Sequence, residues 1–357
     1  MKTFYYAVNS NGDYLFDNFP SHLVSLITNF REISDPFEVI INGIKHQGRL
    51  GKKSNNFGTM YTLTIEEKYV IRKKLFKELL EISTISLESV TNLQKSIIEQ
   101  HNKKAEEFIH NVTTLNGYSI QDLFTLIPQD TLSENINKQK EIIKALIIEK
   151  PNNTVITLLQ LIKYNIAMKV EFSVFERTQK APGFIKKFSH SIRGILLSIL
   201  QIFIEDFEKK EIEVSLDAGQ ASERRIEVDY DSLFVSFFYL LENSVKYCCP
   251  KTKYKIIFKE ETNHFAIIFN MISIKIESSE VSKLTEHSYR SDTAKKINAE
   301  GKGIGMYRIT KTLKFNNAEI EITPRINDFR KQIGNIEYEG NQFKIKFIGQ
   351  QNWFLSN

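Results

Sequence analysis

Residues 240 to 247 read Leu-Leu-Glu-Asn-Ser-Val-Lys-Tyr and carry the strongest local signal in the chain. They lie on an apolar segment that begins near Asp231 and is predicted to be a helix. Taken alone, the stretch has two interpretations. It is either a site in which Asn243 and Lys246 act, or an amphipathic core helix with an incidental asparagine and lysine.

A glycine-rich stretch follows 58 residues later (301 minus 243), where residues 301 to 306 read Gly-Lys-Gly-Ile-Gly-Met. Glycines are needed where backbone amides must approach phosphate oxygens without a Cβ in the way, and a predicted helix at residues 306–313 follows directly. A glycine-rich turn before a helix is common on its own. The two stretches in this order are far more specific than either one.

Together, these stretches resemble the asparagine box and the second glycine box of sensor histidine kinases and of their gyrase, heat-shock chaperone and MutL relatives. The resemblance implies an ATP-binding domain and the cofactors ATP and Mg²⁺. In that family the asparagine oxygen holds the magnesium ion that bridges the phosphates, so Asn243 is the implied metal ligand. The implied nucleotide-binding residues are Asn243, Lys246, Tyr247, Asn270, Arg290, Gly301, Lys302, Gly303, Ile304, Gly305 and Met306.

Residues 284–294 lie between the two boxes and resemble the family's lid segment, with Tyr289 and Arg290 at the place of a phenylalanine and an arginine. A lid arginine can neutralise charge on the γ-phosphate, whereas the alternative is a solvated surface loop. The order of the predicted strands also matches the family and implies an α/β sandwich of a mixed sheet and helices. These strands are residues 212–216, 225–228, 254–260, 265–269, 319–323 and 342–347.

The adenine end of the site departs from the family pattern. The strand after the asparagine box usually ends in Asp-x-Gly-x-Gly, whose aspartate accepts a hydrogen bond from the adenine amino group. Here Asn270 stands at the aspartate, and Ile272 and Ile274 replace both glycines. An asparagine can still accept through its carbonyl oxygen but lacks the charge-assisted bond, so weaker adenine affinity or looser base selection is expected.

The hydrolytic relatives place a water-activating glutamate four residues before the asparagine, where this chain has Tyr239. A phenol with an ordinary pKa is a poor base at neutral pH. Glu242 lies about 100° further round the helix and should not reach the same water. Steady ATP hydrolysis is therefore not the expected main activity.

A histidine kinase also needs an outward-facing histidine on a long helix. The apolar stripe of the helix predicted at residues 87–115 leaves His110 facing outwards. Residues 110 to 114, His-Asn-Val-Thr-Thr, resemble the family's His-acid-x-x-Thr box, with Thr114 in the phosphatase-linked place. Asn111 replaces the acid that would take the Nδ1 proton, which predicts slower autophosphorylation.

His190 is the rival phosphoacceptor. It lies only 53 residues before Asn243 (243 minus 190), too few for the rest of its own helix, a returning helix and the first strands. His110, at 133 residues (243 minus 110), leaves room for a helical hairpin. For either histidine the alternative is a surface residue without function. The expected catalytic residues are His110, Thr114, Asn243 and Lys246.

The chain is predicted to be a multidomain α+β protein with three parts. Residues 1–80 alternate strand-like pieces with turns, such as Asn42-Gly43 and a loop at 51–58, and form a small α/β input domain that resembles PAS-like modules. Residues 81–208 form a helical hairpin or bundle of the dimerisation type, and residues 209–357 form the ATP-binding domain. In the helical part the predicted helices are residues 87–115, closed by Gly117 and Pro128, then 141–150, 155–177 and 183–207.

Composition narrows the functional class further. The 48 basic and 43 acidic residues give a net charge of +5 and are scattered, so no nucleic-acid footprint is expected. The two cysteines, Cys248 and Cys249, are adjacent, which disfavours a mutual disulfide or a zinc site and indicates a reducing compartment. Neither a signal peptide nor a membrane span fits the sequence, so a cytoplasmic location is expected.

These observations predict a cytosolic sensor histidine kinase that autophosphorylates His110 from Mg-ATP, acts as a homodimer and passes the phosphate to a separate response regulator. The alternative is an ATP-binding conformational switch, a pseudokinase that acts through a downstream effector, for instance in stress or phage defence. Asn111 and Asn270 favour that alternative. A slow chaperone-like hydrolase is a third possibility, which Tyr239 disfavours.

Overall fold

The computed structural model describes residues 2–28, 30, 32–179, 185–217, 219–261, 264–299 and 301–349. The chain is mixed α/β. It divides into two compact units, Met1–Ala105 and Glu106–Asn357. The division into residues 1–80, 81–208 and 209–357 stays a prediction.

The first unit contains a five-stranded antiparallel sheet with the strand order β2-β1-β5-β4-β3. The predicted Asn42-Gly43 turn joins β3 to β4, and both residues have positive φ, 51° and 78°. A 3₁₀ helix, Ser21–Leu26, covers part of the sheet's core. The strands are β1 Thr3–Asn9, β2 Tyr14–Asp17, β3 Phe37–Ile41, β4 Ile44–Asn55 and β5 Gly58–Thr64.

The loop predicted at residues 51–58 is wrong over most of its length, because β4 continues to Asn55. Helix α1, Glu67–Ile71, is followed by α2, Lys73–Leu126, whose first turns pack on the sheet. A Cβ on Gly51 would lie 2.6 Å from the Phe76 ring, so glycine is present because the helix packs directly over the strand. Gly51, the first residue of the predicted loop, is therefore a site of close packing within a strand.

The later part of α2 and one helix of the second unit, α4 Pro151–Gln179, form an antiparallel hairpin. Helix α3, Ile136–Glu149, leads into α4. Phe108 contacts Phe172 and Phe175 with ring centroids 5.0 and 4.6 Å apart, and further along α2 the Tyr118 ring lies 6.1 Å from Tyr164. The contact further along α2 involves an earlier residue of α4, so the two helices are antiparallel.

The predicted helix boundaries in this region were partly wrong. Helix α2 passes through Gly117 and stops just before Pro128, because one glycine costs only about 1 kcal/mol in a long helix that packs elsewhere. Helix α3 begins five residues before the predicted start, where the Asn135 side chain caps it by accepting from the Lys138 amide at 3.1 Å.

The second unit also contains a six-stranded mixed sheet of order β11-β13-β10-β9-β7, with β12 paired to β13. Among the strand pairs of this sheet within the described residues, only β7 and β9 are parallel. A separate pair of short strands joins β6, Phe188–Ser191, to β8, Arg225–Val228. The sheet strands are β7 Glu213–Asp217, β9 Lys253–Glu261, β10 His264–Ile274, β11 Ala318–Thr323, β12 Arg330–Ile333 and β13 Ile336–Ile348.

Three helices pack against one face of this sheet and share a single apolar core with it. They are α5 Ile192–Lys209, α6 Tyr230–Tyr247 and α8 Gly305–Lys314. The helix predicted at residues 183–207 therefore starts only at Ile192; residues 185–187 precede strand β6, and residues 183 and 184 lie outside the described part of the chain. His190 consequently lies on a strand, paired with Ile226, and not on a helix.

Candidate nucleotide and phosphoacceptor site

A pocket of about 590 Å³ opens where α6 and α8 meet the end of β10 and the middle of α2, all within the second unit. Every predicted site residue except Asn270 lines it. These residues are His110, Thr114, Asn243, Lys246, Tyr247, Arg290, Gly301, Lys302, Gly303, Ile304, Gly305 and Met306.

Asn243 reaches the pocket because α6 buries its apolar face in the core and turns its last two turns towards the cavity. The Asp229 side chain begins this helix by accepting from the Ser232 amide at 3.1 Å. Near the other end, the Lys246 ammonium lies 3.0 Å from the Glu242 carboxylate, four residues earlier. Lys246 therefore faces the pocket with its charge partly balanced.

Helix α8 points its amino end into the same pocket, next to Asn243. A Cβ on Gly305 would lie 3.1 Å from the Asn243 amide nitrogen, so the glycine lets the first turn approach the asparagine closely. This helix has no side-chain cap and no acidic residue in its first turn. Its first backbone N–H groups and the positive end of its dipole therefore favour an anion such as a phosphate.

The glycine loop, residues 301–306, packs against the predicted lid, residues 284–294. Gly303 has φ of 69°, and a Cβ there would lie 2.5 Å from the Tyr289 carbonyl oxygen. The Tyr289 hydroxyl also donates to the Glu280 carboxylate at 2.7 Å. Burial, together with that carboxylate, raises the pKa of Tyr289 to about 12. The lid and the loop therefore form one close-fitting wall.

Arg290 lines the pocket, but backbone carbonyls occupy its guanidinium. It donates to the carbonyl oxygens of Ala294 at 3.0 Å and Ala299 at 3.1 Å, and also to that of Asn298. The carbonyls belong to helix α7, Asp292–Ile297, and to the residues that follow it. In this arrangement Arg290 stabilises the lid, and a phosphate contact would require it to exchange these bonds.

His110 is exposed and faces the pocket, while Phe108 on the same helix is packed against α4. Thr114 donates its hydroxyl to the His110 carbonyl oxygen at 2.8 Å. The side-chain oxygen of Asn111 accepts from the Lys302 ammonium at 2.8 Å, and its nitrogen donates to Glu171 at 3.0 Å. Helix α2, which carries His110, is thus hydrogen-bonded through Asn111 to Lys302 in the glycine loop of the same chain.

A buried polar cluster that the sequence did not predict joins four helices behind this contact. Arg308 on α8 donates to Glu107 on α2 at 3.0 Å, and also to Glu171 on α4 and to the Tyr239 hydroxyl on α6. Tyr239 in turn donates to Glu171 at 2.5 Å. Arg308 and Glu171 are 137 residues apart, so no local spacing could have indicated their pairing.

The charges in this cluster stabilise one another. Burial opposes ionisation of Glu171, but Arg308, with Asn111 and Tyr239, holds the pKa of that carboxyl below its ordinary value. Burial raises the pKa of Tyr239 well above its ordinary value, and Glu171 adds to the rise. At the position of the hydrolytic glutamate there is therefore a protonated phenol whose hydroxyl is already hydrogen-bonded.

The structure does not place Asn270, the predicted adenine contact, among the residues that line the pocket. Along β10, Met271 and Ser273 line the pocket, so Asn270, which directly precedes Met271, points to the opposite face of the sheet. There its oxygen accepts from the Gln342 side chain at 2.9 Å. Local sequence could not show which face Asn270 occupies, because a shift of one residue in the register of a strand moves each side chain to the other face.

His190 lies outside the residues that line the pocket. Its ring is 5.4 Å from that of Tyr230, at the start of α6. Among the described residues, no group of three or more His, Cys, Asp or Glu side chains could hold a metal ion. None of the described helices is long and apolar enough to cross a membrane.

No protein-family model and no curated protein matches the chain. Among solved structures it is similar to the catalytic domain of histidine kinase ThkA, at 14% identity and a TM-score of 0.38, over 46% of this chain and 96% of that one. It is also similar to the Acinetobacter baumannii histidine kinase AdeS, at 13% identity and a TM-score of 0.38, over 68% and 98% of the two chains. Full-length ShkA in complex with AMPPNP matches at 13% identity and a TM-score of 0.40, over 69% of this chain and 45% of that one.

Proposed function

We propose that the chain is a cytoplasmic histidine kinase of a two-component system, which binds Mg-ATP and phosphorylates its own His110. The observation that carries the proposal is the position of His110 in the same pocket as Asn243 and the glycine loop, residues 301–306. A phosphate held at the amino end of α8 would lie in a pocket that the histidine also faces. The phosphoryl group would then pass to an aspartate on a separate response regulator.

The nucleotide phosphates would bind at the amino end of α8, where the backbone amides of the glycine loop are free of side-chain caps. Lys246 and Lys302 supply positive charge beside this end. Both have hydrogen-bonding or ionic partners, Glu242 and Asn111, that a phosphate would have to replace. Arg290 is a third cation within the pocket wall.

The pocket offers a suitable donor for Mg²⁺ in the carboxamide oxygen of Asn243, which lies beside the phosphate-binding end of α8. A magnesium ion bound by a single protein ligand, phosphate oxygens and water is common, and it would neutralise charge on the phosphates. Phosphoryl transfer itself requires the His110 Nε2 lone pair to attack the γ-phosphorus in line. The new N–P bond forms as the bond from phosphorus to the β,γ-bridging oxygen breaks, and ADP leaves.

Asn111 sets the expected rate. Its amide is occupied by Lys302 and Glu171, and an amide cannot accept the Nδ1 proton of the histidine as a carboxylate would. We therefore expect slow autophosphorylation. The exposed apolar side chains on α4 support dimerisation through the helical region, and they include Val155, Leu158, Leu159 and Ile162.

The test incubates the purified chain with γ-labelled ATP and magnesium and measures acid-labile, alkali-stable label. Wild type should acquire label, and His110→Gln and Asn243→Ala should not. Label retained in His110→Gln contradicts the proposed acceptor. Wild type that binds ATP without acquiring label would instead indicate the non-catalytic switch.

A further inference from the structure

The part of the pocket wall that the end of β10 and the next residues form is mostly apolar. Met271, Ile274 and Ile276 belong to it, at and just beyond the end of β10. If the proposed function holds and the phosphates lie at α8, this apolar wall receives the base. Ser273 lies between these residues and is a polar group that β10 directs into the pocket.

Ser273 is held in a fixed orientation by a buried asparagine on the neighbouring strand. Its side chain accepts a hydrogen bond from the Asn341 amide nitrogen at 2.9 Å, and the same nitrogen lies 3.0 Å from the Ile274 carbonyl oxygen. Ser273 is 3% exposed and Asn341 is 0% exposed. Within the described part of the chain, the Asn341 side-chain oxygen has no hydrogen-bond partner.

The strand register explains why these two residues share the pocket face. Met271 is opposite Asn341, and Asn270 is opposite Gln342 on the other face. Because the serine oxygen already accepts from Asn341, its own proton is free to donate. A hydroxyl can also accept, whereas the carboxylate usual in the resembled family can only accept.

We propose that Ser273, oriented by Asn341, is the residue that contacts the 6-position edge of the bound purine. Adenine presents an amino donor and a ring-nitrogen acceptor at this edge, and hypoxanthine presents a carbonyl acceptor and a ring N–H donor. A hydroxyl pairs with either arrangement, so the site binds 6-amino and 6-oxo purine nucleotides with similar affinity.

The test compares the dissociation constants of Mg-ATP and Mg-ITP, which differ only at this edge. Wild type should prefer ATP by tenfold or less, and a larger preference overturns the proposal. Ser273→Asp should raise the preference for ATP at least tenfold, because a carboxylate accepts from the amino group and repels the carbonyl. An unchanged ratio in a folded Ser273→Asp variant also overturns it.

Two further variants keep the result interpretable. Ser273→Ala, which removes the hydroxyl without adding charge, should weaken both nucleotides severalfold, and wild-type affinity for both contradicts the proposal. Asn270→Ala, on the opposite face of the same strand, should leave both constants unchanged. If the proposed function itself is wrong, the result differs. Neither nucleotide would then bind to the wild type, and Asn243→Ala would change neither dissociation constant.

Discussion

At the scale of single residues, two glycines allow the loop before α8 and the start of α8 to pack closely against their neighbours. Gly303 is in the left-handed region with φ of 69°, and its missing Cβ leaves room for the Tyr289 carbonyl. Gly305 similarly leaves room for Asn243. The sequence predicts that both positions approach phosphates, because a glycine leaves the backbone bare, and in the structure both allow a close contact within the protein.

We expect Gly303→Ala to weaken Mg-ATP binding at least tenfold, since its Cβ would clash with a carbonyl oxygen 2.5 Å away. Gly334→Ala is the matched control, because Gly334 has a similar φ of 57° but nothing within 4 Å of the added Cβ. Both variants carry the left-handed strain of about 1–2 kcal/mol. Isothermal titration should show the affinity loss only in Gly303→Ala, and equal affinities in both would contradict the close lid contact.

Asp229 provides a residue-scale test of pH dependence. Burial alone would raise the pKa of Asp229, but hydrogen bonds from Arg177 and Ser232 reverse this and lower it. A carboxyl with a depressed pKa in the folded state contributes stability above its unfolded pKa of about 3.9, and this stability is lost as the pH falls below that value. Asp229→Asn should therefore be less stable at pH 7, with a smaller stability loss between pH 5 and pH 3. Parallel unfolding curves for the two proteins over that range would contradict this assignment.

At the scale of elements, the periodicity of apolar residues predicted the helices and strands around the site. Packing against other elements determined where each one begins and ends. The apolar spacing of α6 and the order of strands around it were visible in the sequence. The length of α2 was not, because Gly117 reads as a stop, whereas the helix continues through it and packs on α4 at Tyr118. Similarly, the alternation of side chains along β10 determines which face of the sheet Asn270 occupies. The register of β10 comes from its pairing with β13, which is distant in the sequence.

The Arg308 cluster is the feature of this scale that local sequence could not reveal. Glu171→Gln keeps the shape of the side chain but leaves Arg308 with Glu107 as its remaining carboxylate partner. Because the site is buried, we expect a loss of about 1–3 kcal/mol in the free energy of unfolding. Glu134→Gln, which disrupts an exposed pair with Lys138, is the control and should change it by less than about 1 kcal/mol. If urea titrations gave the two variants equal losses in the free energy of unfolding, a larger contribution from the buried cluster would be contradicted.

At the scale of the molecule, the hairpin and the nucleotide-binding part of the second unit are joined by polar contacts within one chain. Lys302 bonds Asn111 and Arg308 bonds Glu107, so the glycine loop and α8 both contact the helix that carries His110. Phosphoryl transfer is therefore expected within one protomer, even in a dimer.

Coexpression of His110→Gln with Asn243→Ala tests this expectation. A mixed dimer has one intact acceptor and one intact nucleotide site, but they lie on different protomers. Transfer within a protomer predicts no label above that of either variant alone. Restored labelling of the Asn243→Ala chain would show transfer between protomers.

Mapping the modified residue tests whether His110 receives phosphate from a nucleotide bound in its own pocket. Wild type is incubated with Mg-ATP, digested at alkaline pH to preserve phosphohistidine, and analysed by tandem mass spectrometry. We predict phosphate on His110 and none in Asn243→Ala. Phosphate on His190 instead, or none in a protein that binds Mg-ATP, would overturn this assignment.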